Sequence, residues 1–303
     1  DIWLNEGFAV YCSALSLEML NGKSDFDNWK SQTINSITSV PNGSVWVDDT
    51  TSVARVFDGR LTYNKGAYLL HMLRWKLGDN LFFQGLRNYL NDPALAYSFA
   101  KTAALQQHLE SVSGQPLTNF IKQWFYGQGY PSYLVLYNQE SSTQYKLTIK
   151  QTTSDNSVSF FEMPVPIQFK GQGRDTTMVF NHTSSGQVFY ANLSFKPDSI
   201  LFDPDLHILS AHNKVMDEST YLRSLQAMVI YPNPATDVLN VEVNDFTNFP
   251  RTVEVYNVLG QKVLSITPIE NAFTIPLYGL AKGSYNLKII SGNKVYTHKI
   301  VKE

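Results

Sequence analysis

The spacing of apolar residues changes once along this chain, and that change constrains the fold more than any other feature. Up to Tyr126 the apolar residues recur about every 3.6 positions, as in amphipathic helices, whereas from Tyr133 they alternate with a period of about 2, as in strands. Between the two patterns, the segment 124–131 carries two glycines and a proline, which interrupt regular structure. The chain is therefore predicted to be multidomain α + β, with a helical first domain over residues 1–131.

Within the first domain, several helices are predicted from apolar stripes and stop signals. The stripe that begins at Trp3 ends at Asn21-Gly22, a typical C-terminal stop. Asp25 is interpreted as the N-cap of a second helix, and residues 41–60 as a loop. Further helices are predicted at Thr62–Gly78, Leu81–Leu90, Thr102–Ser113 and Leu117–Tyr126.

Two β-rich domains are predicted after the helices. Residues 132–212 form short alternating runs separated by Ser, Asn, Gly and Asp clusters, which favours an antiparallel β-sandwich. Residues 213–227 are polar and are interpreted as a linker. Residues 228–303 repeat the pattern of short strands with glycine in the hairpin connections, and a second, small sandwich is expected there.

Length and charge limit the classes of partner. A chain of 303 residues suggests two or three domains. Its formal net charge of -2 favours neither a nucleic acid nor an anionic membrane surface as partner. No apolar run approaches the ~18 residues that a membrane-spanning helix needs, so no transmembrane segment is predicted. Cys12 is the single cysteine, and an intrachain disulfide is therefore excluded.

One carboxylate lies in an unusually apolar part of the first helix. Glu6 is surrounded in sequence by Trp3, Leu4, Phe8 and Tyr11. Burial of an ionised carboxylate in such surroundings is costly unless a cation lies against it. The residues alone leave two hypotheses open: Glu6 is a ligand to a metal ion, or it forms a buried ion pair with Lys or Arg, which is the commoner case.

Two motifs resemble a known enzyme family. Trp-Leu-Asn-Glu-Gly-Phe-Ala at 3–9 resembles the third-ligand segment of the aminopeptidase N family of gluzincin zinc peptidases, and Tyr-Asn-Lys-Gly-Ala at 63–67 resembles its second signature. The resemblance implies a thermolysin-like catalytic domain, of which residues 1–131 would be the all-helical C-terminal half. It also implies that Glu6 is a ligand to Zn²⁺ and that Tyr63 donates its phenol to the oxyanion of the tetrahedral intermediate.

The rest of the implied zinc site is absent from the sequence. In the family, two histidines of a His-Glu-x-x-His helix, roughly eighteen residues upstream of the glutamate, bind the metal with it. The histidines present give no alternative zinc site, because His207 and His212 would lie on opposite faces of a strand. The histidines at 71, 108 and 298 are isolated in the sequence.

Two residues of the second signature also have ordinary structural interpretations. A tyrosine at a helix start is usually a half-buried aromatic residue, and this remains the alternative for Tyr63. Lys65 is interpreted as structural or solvent-facing.

The last domain carries a second resemblance. The segments 231–241, 255–263, 279–285 and 299–302 resemble, in the right order, the C-terminal sorting domain of the Por (type IX) secretion system of Bacteroidetes. The resemblance implies a small Ig-like β-sandwich that is recognised by the type IX secretion machinery. It also implies export through the periplasm and outer membrane, to the medium or the cell surface.

Together the resemblances imply a function for the chain. It is expected to be the C-terminal part of a secreted zinc metallopeptidase, an aminopeptidase that removes N-terminal residues from peptide substrates. Because a single carboxylate cannot build a four-coordinate zinc site, these 303 residues alone are expected to be inactive. The alternative is a non-catalytic surface protein, derived from a degenerate peptidase and used in binding or adhesion. The helix that bears Glu6 is further expected to expose an apolar face.

Overall fold

The computed structural model describes residues 1–225, 228–243, 251–292 and 294–303, which form two compact units, Asp1–Asp217 and Glu218–Glu303. The first unit begins with helices, as the periodicity predicted. They are α1 (Trp3–Asn21), α2 (Lys23–Thr38), α3 (Val53–Val56), α4 (Gly66–Leu77), α5 (Asp79–Leu90), α6 (Thr102–Ser113) and α7 (Thr118–Phe120), with π-helical segments at Gly59–Lys65 and Ile121–Tyr126.

The turn between α1 and α2 depends on one glycine. Gly22 has a φ of 89°, a conformation that side-chain-bearing residues rarely adopt, and it lets the chain leave α1 and enter α2 without a connecting loop. The predicted stop at Asn21-Gly22 is confirmed. The predicted N-cap is wrong, because α2 begins at Lys23 and Asp25 lies inside its first turn.

Two sheets complete the first unit. The strands are β1 (Pro131–Gln139), β2 (Gln144–Thr153), β3 (Met163–Gly171), β4 (Arg174–His182), β5 (Gln187–Asn192), β6 (Ser199–Phe202) and β7 (Lys214–Asp217). One sheet has the order β5-β2-β1-β7 and the other β4-β3-β6. Ring contacts join the sheets, with 4.7 Å between the ring centroids of Tyr133 and Phe202 and 6.5 Å between those of Tyr145 and Phe169.

The segment interpreted as a linker contains regular structure. Within residues 213–227, β7 pairs parallel with β1, with Val215 opposite Val135, and a short helix, α8 (Glu218–Ser224), follows. The strand pairs within residues 132–212 are antiparallel, as expected, and the parallel pair is made by a strand outside that range. A strand of four residues is too short to produce a visible alternation, so its pairing partner cannot be read from its sequence.

One continuous apolar core joins the helices of the first unit to its sheets. Its largest fully buried side chains are Trp3, Trp124, Tyr11, Tyr68, Tyr133, Phe82, Phe125, Phe161 and Phe169. The indole nitrogen of Trp75 on α4 donates to the carbonyl of Pro164 on β3, 2.8 Å away. The helices are thus held against the sheets by both apolar packing and hydrogen bonding.

The second unit is a small β-structure with its own core. Its strands are β8 (Met228–Tyr231), β9 (Val238–Val243), β10 (Thr252–Tyr256), β11 (Lys262–Ile266), β12 (Ala272–Pro276), β13 (Gly283–Ser291) and β14 (Lys294–Lys302). They form antiparallel sheets of order β11-β10-β13-β14 and β12-β9-β8. Alternate residues of β9, β10 and β13 are buried, which is the expected period of two. The Ig-like topology stays a prediction.

The outer side of α1 is uncharged. Its exposed residues are Asn5, Ala9, Cys12, Ser13, Ser16, Leu17, Met19 and Leu20. Because small and polar residues make up most of this face, it is less apolar than expected, and only its last turn exposes large apolar side chains. No helix in the described part of the chain has the length and apolar character needed to cross a bilayer.

Candidate active site

The two residues singled out by the sequence lie on elements that cross each other. Glu6 is in the first turn of α1 and is half-buried, because its neighbours Trp3 and Gly7 face the core. The start of α1 is anchored by side chains: the indole nitrogen of Trp3 donates to Oγ1 of Thr102 at 2.9 Å, and this hydroxyl donates to Oδ1 of Asp1 at 2.8 Å. Glu6 is therefore held on a fixed helix with its carboxylate at the edge of the core.

Tyr63 lies on the π-helical segment Gly59–Lys65, directly before α4. The N-cap of this segment is Asp58, whose Oδ1 accepts from the backbone N–H of Leu61 at 2.8 Å. π-Helical turns are rare and occur frequently at functional sites. Tyr63 and the following Asn64 are half-buried, whereas Leu61, Thr62 and Lys65 of the same segment are buried. The segment is thus anchored in the core by three residues and leaves Tyr63 partly exposed.

The structure brings Glu6 and Tyr63 together. Burial first, and then the hydrogen-bonding interaction and charge of the Glu6 carboxylate, raise the pKa of the Tyr63 phenol. A raised pKa keeps the phenol protonated at neutral pH, so Tyr63 remains a hydrogen-bond donor. We call these two residues the Glu6–Tyr63 pair.

A direct backbone contact lies beside this pair. A Cβ atom added to Gly7 would lie 2.9 Å from the carbonyl carbon of Gly66 and 3.1 Å from the nitrogen of Ala67. A Cβ added to Gly66 would have more room, with its nearest atoms, in Gly7 and Trp3, at 3.4 Å. α1 and the start of α4 therefore cross with no side chain between them at Gly7.

No cation neutralises Glu6 within the described residues. The ion pairs found there involve other carboxylates, such as Glu18 with Arg74 at 2.6 Å, and none includes Glu6. The hypothesis of a Lys or Arg partner thus finds no support in the part of the chain that the structure describes.

The residues present do not complete a metal site. Among the described residues, no three His, Cys, Asp or Glu side chains lie close enough together to hold a metal ion. Structural and catalytic zinc sites use at least three protein ligands. Within the described residues, Glu6 therefore has too few neighbouring His, Cys, Asp or Glu side chains to form a zinc site.

Lys65 is a residue whose environment the sequence did not reveal. It is 1% exposed, and its ammonium donates to the carbonyls of Gly43 at 2.8 Å, Gly129 at 3.0 Å and Gly127 at 3.4 Å. Burial lowers the pKa of Lys65 from its ordinary value near 10.5 to about 7. We call Lys65 and these three carbonyls the Lys65 socket. The socket ties the Tyr63 segment to two loops that are distant in sequence.

A cavity of about 570 Å³ lies elsewhere in the first unit, and its floor contains His71 and His207. The ring centroids of these histidines are 5.6 Å apart, although they are isolated from each other in the sequence. Burial holds the pKa of His71 well below its usual range and lowers that of His207 to about 4, so both rings are neutral at pH 7. Glu18, on the rim, is about 18 Å along α1 from Glu6, at 1.5 Å per residue. The cavity is thus separate from the Glu6–Tyr63 pair.

Comparison with protein families gives two matches. Residues 1–124 match the peptidase family M1 domain, and residues 229–303 match the secretion system C-terminal sorting domain. The first match contains both members of the Glu6–Tyr63 pair. The two matches occupy the helical part of the first unit and nearly all of the second unit.

Two curated relatives illustrate the range of similarity. The chain is 29% identical over 174 residues to tricorn protease-interacting factor F2 of Thermoplasma acidophilum, a match that covers 55% of this chain and 22% of that protein. It is 36% identical over 141 residues to aminopeptidase M1-C of Oryza sativa subsp. japonica, covering 43% of this chain and 15% of the relative. The chain thus spans about a fifth or less of the length of these relatives.

A solved structure shares the fold of the first unit. It is aminopeptidase A of Legionella pneumophila in complex with aspartic acid, which superimposes with a TM-score of 0.57 at 18% identity. The superposition covers 71% of this chain and 24% of the other. At this level of identity the likeness concerns the fold.

Proposed function

We propose that this chain is the C-terminal part of an exported zinc aminopeptidase of the aminopeptidase N type. Residues 1–124 match the peptidase family M1 domain, and residues 229–303 match the secretion system C-terminal sorting domain. The observation that carries this proposal is the juxtaposition of Glu6 and Tyr63, each of which lies in a motif of that family. The substrates would be peptides, from which N-terminal residues are removed.

In the proposed reaction, Tyr63 stabilises charge that develops in the transition state. Its phenol is protonated at neutral pH, and it lies at the surface of the helical domain rather than in its core. A donor aimed at the oxyanion of a tetrahedral intermediate strengthens its hydrogen bond as the negative charge appears, which lowers the barrier. This role needs the phenolic O–H and a fixed position, and the π-helical segment supplies both.

The role proposed for Glu6 is to bind zinc together with ligands from outside these 303 residues. Its lack of a cationic partner within the described residues supports this, because an ionised carboxylate beside a core is otherwise costly. One carboxylate does not make a zinc site, and the separate chain is therefore proposed to be inactive.

The sorting domain suggests where the enzyme acts. We place it outside the cell or on its surface, exported by a type IX secretion system that recognises residues 229–303. Its peptide substrates would accordingly be extracellular.

The experiment compares the full-length gene product with the purified 303-residue chain, on an aminoacyl-anilide substrate and in a zinc-binding assay. The full-length protein should bind one zinc and release amino acid until a chelator removes the metal, whereas the 303-residue chain should do neither. Stoichiometric, chelator-reversible zinc binding by the 303-residue chain would contradict the role given to Glu6. A full-length protein without zinc and without activity would instead favour the non-catalytic surface protein.

A further inference from the structure

The contact between Gly7 and Gly66 immediately adjoins both members of the Glu6–Tyr63 pair. Gly7 follows Glu6 on α1, and Gly66 begins α4 just after the segment that carries Tyr63. The backbone atoms opposite Gly7 leave no space for a Cβ, since the nearest would lie at 2.9 Å. Because backbone cannot rotate away as a side chain can, any larger residue at Gly7 must move one helix away from the other.

The two elements are firmly held on their other sides. The Lys65 socket fixes the end of the Tyr63 segment, and the hydrogen bonds of Trp3 and Thr102 fix the start of α1. The distance between the carboxylate and the phenol thus depends on how closely the two backbones approach at the crossing. A packed interior shifts as a unit when atoms are added to it.

We propose that Gly7 is a positioning residue, whose missing side chain sets the spacing between the Glu6 carboxylate and the Tyr63 phenol. The effect of Gly7 on the reaction rate rests on the function proposed above, whereas its effect on the spacing does not. In a reaction that depends on a donor held near the reacting carbonyl, a displacement of 1 Å can cost about 10²-fold in rate.

Three glycines of this region provide a graded series. A Cβ at Gly7 meets backbone at 2.9 Å, a Cβ at Gly66 makes ordinary contacts from 3.4 Å, and a Cβ at Gly59 meets nothing within 4 Å. All three substitutions to alanine remove the same conformational freedom from the chain. Differences among Gly7→Ala, Gly66→Ala and Gly59→Ala therefore report on the contact.

The spacing can be measured without enzyme activity, in crystal structures of the 303-residue chain and its variants. The measured quantity is the distance between the Glu6 carboxylate and the phenolic oxygen of Tyr63. Gly7→Ala should lengthen this distance, Gly66→Ala should lengthen it less, and Gly59→Ala should match the wild type.

A folded Gly7→Ala chain with the wild-type distance between Glu6 and Tyr63 would overturn the proposal. If Gly7→Ala does not fold, the same measurement is made on Gly66→Val, because a branched side chain there forces the same separation from the opposite helix. A wild-type distance in that variant would equally overturn the proposal.

In the full-length enzyme, Gly7→Ala should reduce kcat by roughly 10-fold or more, with KM little changed and Gly59→Ala at the wild-type level. The distance measurement and the kinetics test different claims. Absence of activity in the wild type refutes the proposed function, while the measured distances still decide whether Gly7 sets the spacing.

Discussion

Two polar regions that meet at Tyr63 and Lys65, two positions apart in the chain, differ in almost every physical respect. Lys65 is fully buried, and its ammonium has three carbonyl acceptors. Tyr63 and Glu6 are half-buried, face each other, and lack a cationic partner within the described residues. The Lys65 socket has the properties of a structural contact, whereas the Glu6–Tyr63 pair lies at a surface and can form further hydrogen bonds.

Under the proposed function, a single turn would serve both stability and chemistry. A buried charge is tolerated only when its hydrogen bonds are satisfied, and the socket meets that condition by drawing carbonyls from loops near residues 43 and 127–129. The same hydrogen bonds fix the end of the π-helical segment that carries Tyr63. Substitutions in the socket should therefore act on folding, and substitutions in the pair should act on the reaction.

The largest stability effect is expected for Lys65→Met. The substitution keeps the length of the side chain but leaves three carbonyls without their donor, at a cost of roughly 1–3 kcal/mol for each buried group left unsatisfied. We expect the free energy of unfolding in urea to fall by about 3 kcal/mol or more. Lys101→Met, on the exposed N-cap of α6, is the matched control and should change it by less than about 0.5 kcal/mol. If both substitutions lowered the free energy of unfolding equally, Lys65 would stabilise the fold no more than an ordinary surface lysine.

A second expectation concerns the pH dependence of the socket. The pKa of Lys65 is about 7 in the folded chain and near 10.5 in the unfolded one. Between these values the unfolded chain binds the proton that the folded chain has lost, so the free energy of unfolding rises with pH. The slope contributed by this one group is at most about 1.4 kcal/mol per pH unit. Unfolding curves at several pH values should show this slope in the wild type and not in Lys65→Met. An identical slope in both would show that Lys65 does not titrate in this window.

The smallest stability effects are expected in the Glu6–Tyr63 pair. Glu6→Gln and Tyr63→Phe remove groups that are half-buried and that make few other bonds. In the 303-residue chain each should alter the free energy of unfolding by no more than about 0.5 kcal/mol, measured by the same urea titration. A loss comparable to that of Lys65→Met would mean that the pair is part of the structural framework.

Much of this arrangement was predictable from local sequence. The helical period, the stop at Gly22 and the switch to alternation near Pro131 all depend on neighbouring residues, and the structure has its long helices and most of its strands where they were expected. The short helix α3 lies in the segment 41–60, and the interpretation of that segment as a loop is wrong there. The importance of Glu6 and Tyr63 was likewise read from short motifs around each of them.

The features that the sequence did not predict depend on distant contacts. The burial of Lys65 follows from three carbonyls far from it along the chain, and the approach of His71 to His207 follows from the packing of α4 against a turn between the sheets. β7 pairs parallel with β1 although its four residues carry no pattern of their own. In each case the structure is determined by contacts with residues distant in sequence rather than by the local sequence.

The central claim is that the Lys65 socket stabilises the fold and that the Glu6–Tyr63 pair takes part in the reaction. Its most direct test is the kcat of Tyr63→Phe in the full-length enzyme. Because loss of one oxyanion donor typically costs about 10²–10³-fold in rate, we expect kcat to fall by that factor, with KM and the thermal unfolding temperature close to those of the wild type. An unchanged kcat would remove Tyr63 from the reaction and contradict the assignment of the Glu6–Tyr63 pair as the active site.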